Sequence, residues 1–206
     1  MAKRTRKVGR AAETPAERVV RVALKLAAKD GWRRTSRADI ADAAGLSLAG
    51  LYGLYPSKEA ILSAFVRAID EAMLKAGPAE GASARERLFD ALMRRFEALA
   101  PHKAALASIA RDSASDPAAA LCGAMRLKRS MAWTLEAAGL SSAGLFGRLR
   151  VRGLALIYLA TFRTWLADDS PDRSRTMAAL DRHLARAERA IGLCRELGAR
   201  RAKAAA

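Results

Sequence analysis

The corner at Gly45 constrains this chain more than any other feature. In residues 35–58, TSRADIADAAGLSLAGLYGLYPSK, Ser36 can cap a first short helix and Ser47 a second, with Gly45 supplying the turn between them. Ile40 and Ala44 fall on the inner side of the first helix. Ala41, four residues before the glycine, is small enough for the two helices to approach closely, and Leu46 and Leu51 close the corner. The pattern predicts a helix-turn-helix.

Helical signals continue on both sides of it. Thr14-Pro15-Ala16-Glu17 is a capping box with proline in the first helical position; Val19, Val22, Ala23, Leu26 and Ala27 share a face, and Asp30-Gly31 stops the helix. Trp32 is expected to plug the core beneath the corner. Ser57 opens a fourth helix to about Lys75, apolar at Ile61, Leu62, Phe65, Ile69 and Met73 and broken at Gly77-Pro78. Ser83-Ala84-Arg85-Glu86 is another capping box, before Leu88, Leu92, Phe96 and Leu99. A short helix from His102 to Arg111, a longer one from Asp116-Pro117 to Gly139, and an almost wholly apolar one over about 143–167 follow. The last is expected to start at Ser170-Pro171, with Met177, Leu180, Leu184, Ala187, Ile191 and Cys194 at helical spacing and Asp168-Asp169 as its start signal.

With aromatics at 5%, alanine and leucine throughout and no strand pattern, the fold class is all-α. The divisions are a basic arm over 1–12, the helix-turn-helix domain over 13–57, a connecting helix over 58–76 and a helical domain over 77–206. Helix 143–167 is apolar on most sides and so should be buried on most sides. Pairing the final two helices with their copies in a second chain satisfies this.

The formal net charge of +16 points to a polyanion. It is concentrated at the amino end: residues 1–58 carry 13 Lys or Arg against 5 Asp or Glu, and the remainder 24 against 16. The arm, with Lys3, Arg4, Arg6, Lys7 and Arg10, reads either as a clamp on phosphates or the minor groove or as a solubilising tail. Cys122 and Cys194 are too few and too far apart for a disulfide framework or metal site; they read as small core residues in a reducing cytoplasm. No secretory signal follows the basic start, and the longest apolar run, Gly153–Phe162, is far short of a bilayer span. His102 and His183 lack metal-ligand or catalytic spacing, so neither an enzyme nor a cofactor is expected.

Between Thr14 and Phe65 the order DGW, TS, DIADAAG, LS, LY and YPSKEAIL resembles the amino-terminal domain of TetR-family transcriptional regulators. The resemblance covers roughly the first third of the chain. It implies a three-helix DNA-binding head, a fourth helix that transmits a ligand signal, and a carboxyl-terminal domain for effector binding and dimerisation. On it, double-stranded DNA would be met by Ser36, Arg37, Ser47, Leu48, Ala49, Gly50, Tyr52, Tyr55 and Lys58, with Tyr52 and Lys58 against phosphates. The partners implied are a palindromic operator, a second copy through the last two helices, and a small hydrophobic effector.

One departure stands out. The second helix of the motif, from Ser47 to Tyr55, has no charged or amide side chain where the family commonly carries Lys, Thr and His. Bidentate base readers are therefore missing. Ser47, the helix-start amides, Tyr52 for a phosphate and Leu48 or Ala49 for a thymine methyl remain. Two readings stay open: readout through phosphates, shape, methyl contacts and the flanking Arg33, Arg34 and Arg37, or a scaffold that no longer reads bases. Met93, Phe96, Met125, Trp133 and Phe146 are candidate pocket residues, because soft and aromatic side chains suit apolar ligands. Plain core is the stronger reading of each taken singly. Residues 165–188 are also similar to lipid-binding proteins of ubiquinone biosynthesis that share the TetR fold, which gives a second functional reading without sequence-specific DNA binding.

Overall fold

The computed structural model describes residues 13–204, with side chains through Gly192. The basic arm, residues 1–12, and the side chain of Cys194 lie outside the described residues.

The described residues form nine α-helices and no strand: α1 Pro15–Asp30, α2 Arg37–Ala44, α3 Leu48–Leu54, α4 Lys58–Lys75, α5 Ala84–Leu99, α6 Lys103–Ala114, α7 Pro117–Ala137, α8 Gly144–Leu166 and α9 Ser174–Ala204. A single 3-10 turn, Ala100–His102, joins α5 to α6. Capping boxes at Thr14 and Ser83 are made as their spacing requires, and Asp116 caps α7 by accepting the amides of Ala118 and Ala119. None of the described helices is long and apolar enough to cross a membrane.

One core runs from the amino-terminal helices into the body. Val19, Ala23 and Ala27 of α1 meet Ile40, Leu51 and Trp32, and Phe65 and Ile69 of α4 carry the same cluster on to Leu92, Phe96, Leu135, Leu154 and Trp165. The amino-terminal part is also hydrogen-bonded to the body. The Ser108 hydroxyl of α6 accepts the Trp32 amide at 3.0 Å, and the Asp112 carboxylate accepts the Arg33 amide at 2.7 Å. The break after α4 is pinned as well: Arg94 donates to the Gly77 carbonyl at 3.0 Å, and Ala79 to the Ala137 carbonyl at 3.1 Å.

Two expectations need correction, at the start of α9 and at Cys122. Helix α9 begins at Ser174, not at Ser170-Pro171. The Asp168 carboxylate accepts the amide and hydroxyl of Thr176 at 2.8 and 2.6 Å and the Ser170 hydroxyl, so residues 170–173 must fold into a turn, with Arg173 at φ 57. Burial alone would raise the Asp168 carboxyl, but these hydrogen bonds outweigh it and hold it far below the usual carboxylate range. Cys122, expected in the core, is half-buried on α7. Helix α8 buries Val151, Leu154, Tyr158 and Trp165 but turns Leu145, Phe146, Leu149, Leu156 and Leu159 outward, so within one chain it is covered on one side only.

Candidate nucleic-acid interface

The corner is built from short-range hydrogen bonds. Ser36 Oγ accepts the Asp39 amide at 3.1 Å, and the Asp39 carboxylate accepts the Ser36 amide at 2.8 Å; these bonds hold the Asp39 carboxyl below its ordinary value. Gly45 takes the left-handed conformation, φ 68 and ψ 38, that ends α2 without a Cβ clash, and Leu46 donates back to the Ala41 carbonyl at 2.9 Å. Ser47 Oγ accepts the Gly50 amide at 3.1 Å and starts α3. Leu51 alone in α3 is buried, at 2% exposure, which fixes the rotation of the helix. Everything on its far side faces outward.

That rotation separates the expected contact residues into two sets. Leu48, Ala49, Gly50, Ser36, Ser47 and Arg37 are exposed, and Tyr52 is 70% exposed. Arg37, Leu48, Ala49 and Tyr52 border one hollow of about 420 Å³, also lined by Leu51, Tyr55 and Pro56. Both serine oxygens accept a capping amide, and a hydroxyl keeps its proton to donate elsewhere.

The second set turns away from that face. Tyr55 packs against the core and its hydroxyl donates to the Ala16 carbonyl of α1 at 3.4 Å. Lys58 was expected at a phosphate, but its ammonium donates to the carbonyls of Trp32 and Thr35 at 2.5 and 2.7 Å and sits 4.3 Å from the Trp32 ring centroid. Burial lowers its pKa. The turn after α1 exposes two carbonyls beside an aromatic face, and the fold brings the ammonium at the first turn of α4 against both.

Residues 19–65 match the family model of bacterial regulatory proteins of the tetR family. The chain carries a TetR-family helix-turn-helix domain. Solved structures extend the TetR likeness over the body. A TetR transcriptional regulator from Nitrosomonas europaea is similar at 28% identity and a TM-score of 0.68, over 84% of this chain and 97% of that one. A TetR regulator from a Rhodococcus species shares the fold at 21% identity and a TM-score of 0.61, over 83% and 93%. FadR of Thermus thermophilus, a TetR-family repressor solved with lauroyl-CoA, shares it at 24% and 0.53, over 82% and 91%. No match was found among curated proteins.

In the TetR-type body the five candidate pocket residues do not converge. Phe96 is wholly buried in the core and Met93 packs against it, whereas Met125, Trp133 and Phe146 are exposed by half or more. Helical spacing placed them on faces without showing which faces met. The sequence reading also missed a buried polar junction. Arg95 of α5 donates to the Asp70 carboxylate of α4, which also accepts the Ser130 hydroxyl of α7, and the guanidinium lies 5.4 Å from the Tyr158 ring centroid of α8. A signal was available: Asp70 and Arg95 each fall on the apolar face of their helix, beside Met73 and Leu92. Ser108 and Asp112, which fasten the turn after α1, carried no such signal.

Proposed function

We propose that this protein is a DNA-binding transcriptional regulator, a repressor that binds a near-palindromic operator as a homodimer and answers to a small hydrophobic effector. The observation that carries the reading is the outer face of α3. A hydrogen-bonded corner presents Tyr52, Leu48 and Ala49 with none of the described residues covering them, and Arg37 stands at the edge. The excess of positive charge in residues 1–58 suits a phosphate backbone around that face.

The second copy is supported by α8. Leu145, Leu149, Leu156 and Leu159 recur at spacings of four, seven and three residues and are 71%, 65%, 69% and 46% exposed, a stripe that suits a helix of another chain. In such a dimer the two α3 helices would enter successive major grooves about 34–36 Å apart. An effector is consistent with the fold, since the Thermus repressor was solved with lauroyl-CoA.

Residues 165–188, which resemble the lipid-binding proteins, are accounted for by packing: Trp165 and Leu180 are core, and Asp168 holds the turn into α9. The test is a titration of the full chain against duplex fragments from around its own gene. Specific retention that weakens steeply with salt, and that Tyr52→Ala together with Arg37→Ala abolishes, supports the regulator. Sequence-blind retention with co-purifying lipid refutes it.

A further inference from the structure

The reading helix offers carbon where base edges offer hydrogen bonds. Along α3, LAGLYGL, there is no charged or amide side chain. Ala49 and Gly53 lie opposite the buried Leu51 and carry at most a methyl, and the space at Gly53 is open: a Cβ there would meet nothing within 4 Å. Leu48, 59% exposed, and Tyr52 stand beside them, and the hollow these two border is also lined by Leu51, Tyr55 and Pro56. Among the described residues that line it, Arg37 is the charged one.

Among the groups that base pairs present in the major groove, the thymine C5 methyl is the apolar one; the others are hydrogen-bond donors and acceptors. A face whose donors and acceptors are hydroxyls, with Arg37 at its rim, gains little from choosing among those. It can gain from a methyl. Leu48 and Ala49 supply carbon surface for it, the missing side chain at Gly53 lets the duplex approach, and Arg37 is placed for an adjoining phosphate. We propose that this protein recognises its operator by packing Leu48, Ala49 and the ring of Tyr52 against thymine methyls, so that its half-sites are marked by thymines at fixed positions. This rests on the regulator reading and adds to it the chemical feature that is read.

The experiment begins with duplexes selected from a random library by the full-length protein. Each thymine of a selected half-site is then replaced by deoxyuridine, which removes only the methyl. The expected result is a loss of about fourfold in affinity for each contacted methyl, from burial of one carbon. That loss should occur at one or two positions per half-site, and it should disappear at one of them in Leu48→Ala. Equal affinity for thymine and uracil duplexes at every position overturns the methyl readout while leaving the regulator reading intact. Selection of no sequence at all overturns both.

Discussion

The guanidinium of Arg95 is paired with the carboxylate of Asp70 at the centre of the protein, where α5 crosses α4. The two side chains are 3% and 11% exposed, and the Ser130 hydroxyl shares the same carboxylate oxygen at 2.5 Å. Two helices of the body, α5 and α7, are therefore joined by one carboxylate to α4, the helix that leads to the α2–α3 corner.

Removing one partner leaves a buried charge uncompensated, which typically costs about 3–5 kcal/mol. Asp70→Ala should lower the free energy of unfolding by that order, read from chemical denaturation. Asp70→Leu combined with Arg95→Met should cost less than the Asp70→Ala change, because no charge is stranded. A double variant as unstable as the single one would show that the pair acts by geometry and not by charge.

Lys58 is expected to act on stability and not on salt dependence. Its two carbonyl partners are lost in Lys58→Met, at about 1.5–3 kcal/mol for a charged hydrogen-bonding group. If its ammonium met a phosphate instead, the slope of log affinity against log salt would fall by about one unit. A shift in unfolding midpoint with an unchanged salt slope is the predicted outcome.

The exposed stripe of α8 gives a prediction about assembly. Leu149→Glu with Leu156→Glu changes two side chains that are 65% and 69% exposed in the single chain, so folding of the protomer should survive. Sedimentation should show a monomer whose circular dichroism keeps full helicity. Persistence of the wild-type mass would place the interface elsewhere.

His102 provides a pH dependence. Burial lowers its pKa from the ordinary 6.5, and its ring meets Phe65 edge-on with centroids 5.1 Å apart. The folded protein favours the neutral ring, so below the ordinary value the unfolded chain binds more protons and stability falls with pH. The melting temperature should drop more between pH 7 and 5 in the wild type than in His102→Gln. Equal slopes would show that the ring titrates without consequence.

The helices, their order and most of their caps were legible because those signals are local: a threonine or serine three residues before a glutamate, a glycine after an apolar run, a proline in the first turn. The helix-turn-helix and its buried Leu51 were legible for the same reason, and so was the emptiness of α3, since a missing amide or arginine is visible without coordinates. What needed the tertiary structure was every pairing between distant residues. Lys58 turned from the expected phosphate to the Trp32 and Thr35 carbonyls because the end of α1 lies beside it, 23 residues away along the chain at its nearest acceptor. Asp70 found Arg95, and Met125, Trp133 and Phe146 reached the surface, because helical periodicity gives each helix an apolar face but not the neighbour against which that face, or its edge, will pack.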